Sequence, residues 1–225
     1  MAEQIIPATR IRKIIARRLQ DSWNTSPSFM TCMEVDTTNL KEFRRKLEEQ
    51  HGRKISINVI LMKAIAKALL EYPYVNGSYQ DDNLILHDDV NIGFAVSLEE
   101  GLIVPNVKNC DKKTFMEVAE EVDQLIEAAR SGKLKLDDMT GGTFTLSSMA
   151  AVEDVLLTVP IINQPEVGIL GVYMPKDTPV VIDGSIVVRP MMNLSLVTDH
   201  RMVDGVMAGR FLKRIKQFIT DPSEI

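Results

Sequence analysis

The sequence predicts a single α/β domain with helices interleaved into a mixed or antiparallel-rich sheet. Apolar residues recur at helical spacing in several segments, and strand-like runs lie between those segments. No internal repeat and no linker-like change of composition divides the chain. Its 225 residues, 45% of them hydrophobic, suffice for a sizeable buried core. We therefore expect one domain over residues 1–225.

The composition argues against several classes of protein. The 31 acidic and 26 basic residues give a net charge of −5, which does not favour nucleic acid as a partner. No apolar run approaches the roughly 18 residues of a membrane span. Cys32 and Cys110 are too few for a disulfide framework, and no signal peptide opens the sequence. We expect a reduced, soluble protein of the cytoplasm, or of the mitochondrial matrix in a eukaryote.

Helices dominate the first part of the chain. Helical or alternating spacing predicts, in order, a basic amphipathic helix from Thr9 to Arg18, a strand at Phe29–Asp36, a helix on Leu40, Phe43 and Leu47, and a helix from Asn58 to Leu70. Thr9 is a plausible cap, and Gly52 and Pro73 end the later helices. The basic face of the first helix is either simply solvated or presents arginines to a carboxylate or an anionic ligand.

Strands dominate the second part. The strand segments are Leu84–Leu86, Asn91–Val96, Leu102–Val104, Thr143–Leu146, Gly168–Val172, Val180–Ile182, Ile186–Val188 and Met191–Val197. A helix from Thr114 to about Ala129 interrupts them, and a final helix begins at Gly205. Asp183-Gly184 is typical of a hairpin turn.

The three histidines differ in what their surroundings permit. His51 lies in a polar loop and is expected to be solvated, while His87 precedes two aspartates but has no second ligand cluster, so no metal site is predicted. His200 follows an apolar run at a strand end, and Asp204 lies four residues later. Such a histidine either acts as a general base, held by the strand and by the carboxylate, or merely caps the turn.

A second candidate is the run from Gly141 to Ser148, in which hydroxyls alternate with apolar residues. It is either an ordinary strand with a polar face or a strand that offers a hydroxyl to a developing oxyanion. The serines lack a G-x-S-x-G elbow, so they are not predicted to be nucleophiles. Neither G-x-G-x-x-G nor a Gly-Lys-Ser/Thr loop occurs, which argues against dinucleotide or nucleoside triphosphate binding.

Five motifs in register resemble one family over about residues 5 to 222. Asp199-His200-Arg201-Met202-Val203-Asp204-Gly205 is similar to the DHRxxDG signature of the acyltransferase component of 2-oxo acid dehydrogenase complexes. The other four are the stretches 11–16, 101–105, 141–145 and 160–163. The resemblance implies the fold of chloramphenicol acetyltransferase, a two-layer sandwich with a mixed sheet. It also implies a homotrimer, alone or within a cubic or icosahedral core.

The same resemblance implies acyl transfer between a lipoyl thioester and coenzyme A, both of them substrates. His200 matches the family's general base and Ser147 its oxyanion donor, on different subunits. Asp204 matches a carboxylate that holds the turn, with Arg12 or Arg18 as its expected partner. Arg44, Ser56 and Ser148 match positions that line the coenzyme A channel. A lipoyl domain, a 2-oxo acid decarboxylase and dihydrolipoamide dehydrogenase are the implied partners.

The chain also departs from the family pattern. Pro27-Ser28 replaces a usual Pro-His, and Ser147-Ser148-Met149-Ala150 replaces a Ser-Asn-x-Gly stretch. Glu153-Asp154 lie where glycines and an aromatic residue are common in the family. No lipoyl or subunit-binding domain is recognised, so the lipoyl group would come from another domain or chain. Three functions remain open: an active acyltransferase core, an inactive trimeric scaffold, and a stand-alone acetyltransferase for a small acceptor.

Overall fold

The computed structural model describes residues 3–98 and 101–225, and within these ranges helices and strands alternate along the chain. The elements are α1 (Arg10–Thr25), β1 (Ser28–Asp36), α2 (Thr38–His51), α3 (Ile57–Glu71), β2 (Gly77–Gln80), β3 (Asn83–Leu86), β4 (Ile92–Phe94), β5 (Val96–Leu98), β6 (Gly101–Ile103), β7 (Asn106–Val107), α4 (Phe115–Arg130), β8 (Phe144–Ser148), β9 (Gly168–Val172), β10 (Lys176–Ile182), β11 (Ser185–Asp199) and α5 (Gly205–Thr220).

A seven-stranded mixed sheet organises the domain. Its order is β1-β11-β9-β8-β4-β7, with β10 also paired to β11. The β9–β8 and β8–β4 pairs are parallel and the other pairs are antiparallel. Two hairpins, β2–β3 and β5–β6, lie outside the sheet. The predicted α/β class with a mixed sheet is thus confirmed.

Helices α2 to α5 pack on one face of the sheet and form the main core. Nine residues of α3 are buried, which makes it the central helix, and α4 and α5 both contact it. Leu146, Leu170 and Leu196 point from three neighbouring strands into this core. Burial of this continuous apolar surface is the main stabilising contribution to the fold.

The opposite face of the sheet is more polar. Thr145, Ser147 and Ser195 alternate with the core residues of their strands and therefore face the other way. Only a small apolar cluster of Ile162, Ile169, Val197 and Met30 forms on this side. The segment between β8 and β9 covers part of it, and the Ser22 hydroxyl of α1 donates to the carbonyl of Ile162 at 2.6 Å.

Local capping signals were predicted correctly. Thr9 caps α1 and accepts a hydrogen bond from the amide of Arg12, although the helix continues to Thr25 rather than ending near Arg18. Gly52 ends α2 with a φ of 66°. The turn at Asp183-Gly184 joins β10 to β11 as expected.

Three strand predictions need correction. The segment 91–96 forms β4 and the start of β5 rather than one strand. The strands β2 and β7 were not predicted. The two strands expected at 186–188 and 191–197 are one continuous strand, β11. Pro190 lies between the two expected strands. It pairs only with Asp177 of β10, one residue before the β1 pairing begins at Met191, so β11 tolerates it.

No helix within the described ranges combines the length and the apolar character needed to cross a membrane.

Gly171 should be intolerant of a side chain. A Cβ there would lie 2.4 Å from the Ser195 Oγ and 2.8 Å from the Tyr173 hydroxyl, both in the buried interior. We expect Gly171→Ala to lower the free energy of unfolding by about 1–3 kcal/mol, measured by urea denaturation. Gly209→Ala in α5 is the matched control, because nothing lies within 4 Å of its Cβ position. That control should be neutral or slightly stabilising, and equal effects at both positions would contradict the packing argument.

Candidate active site

His200 lies in the turn that joins β11 to α5, immediately after the last strand residue. Its backbone amide donates to the carbonyl of Pro27 at 3.0 Å, which ties the turn to the residue before β1. The imidazole is exposed, and within the part of the chain that is described its ring makes no hydrogen bond. The rigid strand therefore presents an accessible ring, as a general base requires.

A buried carboxylate holds the strand end beneath this histidine. Asp199 is 1% exposed, and it accepts hydrogen bonds from the Ser26 hydroxyl at 2.8 Å and from Nη2 of Arg201 at 2.7 Å. Burial opposes ionisation of the Asp199 carboxyl, but the hydrogen bonds from Arg201 and Ser26 outweigh it and lower its pKa. The Arg201 guanidinium in turn lies 4.4 Å from the centre of the Tyr79 ring, so the β2–β3 hairpin supports the same turn.

Asp204 caps the helix that follows the turn. Its carboxylate accepts a hydrogen bond from the amide of Met207 at 2.8 Å, at the positive end of α5. Among the described residues no ion pair joins Asp204 to Arg12 or Arg18, so the pairing expected with the first helix is not made within this chain. The physical reason is that the carboxylate is directed at the helix terminus. Arg18 instead lines a cavity elsewhere.

Ser147 lies at the end of β8, on the polar face of the sheet. It is half-buried, and its hydroxyl has no hydrogen-bond partner in the described part of the chain. Ser147 pairs with Gly171, which pairs with Ser195, so these residues form one row across three strands. The Tyr173 hydroxyl occupies the space above Gly171, bonds the Ser195 hydroxyl at 2.7 Å and accepts from the amide of Thr158 at 2.7 Å. This hydrogen-bond network fixes the side chains next to the Ser147 hydroxyl, which itself makes no hydrogen bond within the described residues.

His200 and Ser147 are far apart within one chain. Ser195 is in the same row as Ser147, and His200 follows five residues later along the direction of β11. At about 3.3 Å per strand residue, roughly 17 Å separates the two positions along the strand. The two side chains of a single chain therefore cannot act on one carbonyl group.

A basic cavity of about 450 Å³ opens beside the end of β8. Its lining residues are Lys41, Arg44, Arg45, Glu48, Ile57, Ala150, Met174 and Pro175. Arg44 is held in place because its Nε donates to the carbonyl of Ile55 at 2.7 Å and to Glu48 at 3.1 Å. The cavity lining thus includes three cations of α2, of which Arg44 is paired with Glu48 and Arg45 is paired with Glu42 and Glu49.

Of the three residues predicted for coenzyme A, only Arg44 is among the described residues that line this cavity, while Ser56 and Ser148 are close in sequence to lining residues. Arg44 lines it, Ser56 precedes the lining residue Ile57, and Ser148 lies two residues before the lining residue Ala150. Ser56 also caps α3, so the positive end of that helix is nearby. The sequence reasoning missed Lys41 and Arg45, whose helical spacing around Arg44 was an available signal.

A larger cavity of about 650 Å³ lies near the start of β8, lined by residues that include His87, Gly141 and Glu166. Glu166 is 2% exposed, and it accepts hydrogen bonds from Thr145 at 2.6 Å and from Asn163 at 2.8 Å. Burial raises the pKa of Glu166 to about 7 against the opposing effect of these two hydrogen bonds. The sequence reasoning missed this residue, because nothing in its local pattern predicts burial. In the described part of the chain no cluster of three or more His, Cys, Asp or Glu side chains could hold a metal ion.

Comparison with known proteins identifies related chains. Residues 1–225 match the family described as 2-oxoacid dehydrogenases acyltransferase (catalytic domain). The dihydrolipoyllysine-residue succinyltransferase of the Haemophilus influenzae 2-oxoglutarate dehydrogenase complex is 38% identical, over 100% of this chain and 56% of that protein. The lipoamide acyltransferase of the Bacillus subtilis branched-chain alpha-keto acid dehydrogenase complex is 40% identical, over 97% and 53%. The chain spans about half the length of these relatives.

Solved structures agree with the fold expected from the resemblance. Azotobacter vinelandii dihydrolipoamide acetyltransferase superposes with a TM-score of 0.94 at 37% identity, over 99% of this chain and 93% of that chain. That structure was determined to study the catalytic role of a serine, a histidine and an asparagine, the last two spaced as His200 and Asp204 are here. The cubic core of a pyruvate dehydrogenase complex gives 0.93 at 37% identity, over 99% and 93%. Chloramphenicol acetyltransferase, at 0.58 and 15% identity over 96% and 99%, shares the fold alone.

The cap at Asp204 should contribute measurably to stability. We expect Asp204→Ala to lower the free energy of unfolding by about 1 kcal/mol, because the Met207 amide loses its acceptor. Asp204→Asn keeps a side-chain acceptor and should stay close to the wild type. Thermal unfolding of both variants tests this, and a midpoint that Asp204→Ala leaves unchanged would refute the capping role.

Glu166 should make stability depend on pH. Its pKa rises from 4.5 to about 7 on folding, so its favourable contribution is complete below pH 4.5 and is lost as the pH rises towards 7. Glu166→Gln cannot ionise, so it should gain stability relative to the wild type across this window. Urea denaturation at several pH values measures the difference. Glu153→Gln is the control at an exposed glutamate, and parallel curves for Glu166→Gln and the wild type would contradict the argument.

Proposed function

The chain belongs to the family of 2-oxoacid dehydrogenase acyltransferase catalytic domains, and from this premise we propose that it transfers an acyl group between dihydrolipoamide and coenzyme A. The observation that supports the proposal is the cavity lined by Lys41, Arg44 and Arg45, whose lining also includes Ala150, three residues after Ser147 in the chain. Coenzyme A has phosphate groups at one end and a reactive thiol at the other. The cavity suits the phosphate groups, and the Ser147 hydroxyl suits the oxygen of the thioester carbonyl that the thiol attacks.

In the proposed mechanism His200 is the general base. Its neutral imidazole takes the proton from the attacking thiol, and the resulting thiolate adds to the carbonyl carbon of the thioester. The oxygen of the tetrahedral intermediate accepts a hydrogen bond from the Ser147 hydroxyl. The intermediate then expels the second thiolate, which takes the proton back from the imidazolium. The same steps run in both directions, because coenzyme A attacks as the thiol in one direction and dihydrolipoamide attacks as the thiol in the other.

The proposed centre combines two copies of the chain, with His200 from one and Ser147 from the other. The roughly 17 Å between these residues in one chain supports this arrangement. Exposed apolar side chains of α1 offer a surface for association, since Trp23 is 62% exposed and Ile11, Ile14 and Leu19 of the same helix are also exposed. We propose a homotrimer, and, by analogy with the cubic core among the similar structures, a larger assembly of such trimers.

Coenzyme A would be held by the basic cavity. Lys41, Arg44 and Arg45 would contact its phosphates, with the positive end of α3 at Ser56 adding to the attraction. Ser148 would line the path from this cavity towards the thiol. Arg44 is fixed by Ile55 and Glu48, so its guanidinium is preorganised for an anion.

The lipoyl group would arrive on another domain or chain, with a 2-oxo acid decarboxylase and dihydrolipoamide dehydrogenase as further partners. The relatives carry succinyl or branched-chain acyl groups or are acetyltransferases, and this chain is similar to all of them. We therefore propose the thioester acyl class as substrate rather than one acyl group. The proposed location is the bacterial cytoplasm, or the mitochondrial matrix, as for the Arabidopsis thaliana relative.

The proposed roles predict large and separable losses of rate. In the presence of an acyl-coenzyme A and free dihydrolipoamide, His200→Ala should lower the transfer rate by at least 10²-fold, because no other group takes the thiol proton. Ser147→Ala should lower kcat by about 10²–10³-fold through loss of the oxyanion donor. Mass spectrometry of the acylated dithiol measures both rates. His51→Ala, at an exposed histidine at the end of α2, is the control.

The same assay separates the other functions. Transfer by His200→Ala at the wild-type rate would exclude His200 as the base. No transfer by the wild type with any acyl-coenzyme A would favour a scaffold. Transfer to a small hydroxyl or amine acceptor, and not to the dithiol, would favour a stand-alone acetyltransferase.

A further inference from the structure

We propose that Phe29 is a positioning residue for His200, and that Gly205 supplies the space which lets it act. This inference rests on the proposed function, because it concerns the aim of the imidazole that takes the thiol proton. The base is exposed and has no hydrogen-bond partner for its ring among the described residues. An exposed side chain on a turn can occupy several rotamers. A contact that selects one of them would therefore affect the rate directly.

Pairing of β1 with β11 brings the two rings together. Ser28 is in register with Asp199, and the amide of His200 donates to the carbonyl of Pro27. The ring of Phe29 then lies 5.0 Å from the imidazole, centre to centre, with an angle of 82° between the planes. This edge-to-face arrangement is the favourable one for two aromatic rings. Phe29 is 39% exposed, so it supports one side of the imidazole without sealing it from solvent.

Gly205 also lies against the Phe29 ring. A Cβ at Gly205 would be 3.2 Å from both Cε1 and Cζ of Phe29, closer than ordinary van der Waals contact. The backbone of Gly205 is not in the left-handed region, so its conformation alone does not require glycine. The required feature is space for the phenylalanine ring. The Phe29 ring thus contacts both the imidazole and the first turn of α5.

The Phe29–Gly205 contact gives a test in which stability and rate move differently. Alanine is at least as good as glycine within a helix, so Gly205→Ala should not lower the thermal midpoint. It should displace the Phe29 ring, and with it the imidazole that the ring contacts, and lower kcat by about tenfold with little change in either KM, because a small misplacement of a reacting group is costly. Gly209→Ala, in the same helix and with open space around its Cβ position, is the control.

A double-variant cycle identifies the ring as the cause. Phe29→Leu should itself lower kcat, whereas Phe29→Tyr keeps an aromatic ring and should retain most of the rate. In the Phe29→Leu background the added Gly205→Ala change should cost nothing further, because the ring that it displaces is gone. A crystal structure of Gly205→Ala should show the imidazole rotated from its wild-type orientation.

Two results would overturn the inference. The first is an unchanged kcat in Gly205→Ala, and the second is an equal loss in the wild-type and Phe29→Leu backgrounds. Parallel measurement of His200→Ala distinguishes this failure from failure of the proposed function. If His200→Ala is inactive while the Phe29 and Gly205 variants behave as wild type, the positioning role alone is wrong. If His200→Ala keeps the wild-type rate, the base assignment is wrong.

Discussion

The hydrogen-bonded carboxylate of Asp199 is the interaction on which the site depends. It ends the longest strand of the sheet, and Arg201 and Ser26 compensate for its removal from water. A buried carboxylate without such partners would be expensive, so the turn can adopt only a conformation that keeps both donors in place. Because His200 is the next residue, this constraint sets the direction in which its backbone leaves the sheet. The Tyr79 ring over Arg201 extends the same support to a separate hairpin.

The two faces of the sheet have different roles because of simple alternation along its strands. Leu146 and Leu196 face the helices and stabilise the domain, while Ser147 and Ser195, one residue away, face the polar side. A strand that is already fixed by an apolar core can hold a hydroxyl without hydrogen-bonding it. Ser147 is such a hydroxyl. The Ser195 hydroxyl in the same row is hydrogen-bonded to Tyr173, so it does not compete for the Ser147 hydroxyl.

Features that depend on short stretches of chain could be predicted, and features that depend on distant contacts could not. The backbone preferences of single residues predict the helix caps at Thr9 and Gly52 and the turn at Asp183-Gly184. The motif around His200 could be recognised because its residues are contiguous in the sequence. Glu166, by contrast, is buried in the fold and accepts a hydrogen bond from Thr145, which lies 21 residues away in the chain. The contact of Phe29 with His200 likewise requires the pairing of the first and last strands. Pro190 lies inside the continuous strand β11, and whether a proline is tolerated there depends on which strand pairs beside it.

The separation of His200 and Ser147 within one chain has a consequence for the protomer before it assembles. Under the proposed mechanism a newly folded protomer holds two incomplete halves of a centre, one at each end of its sheet. It can bind a thiol ester at neither half productively, so it cannot waste activated acyl groups while it is alone. Association itself would then switch catalysis on, and dilution would switch it off without any unfolding.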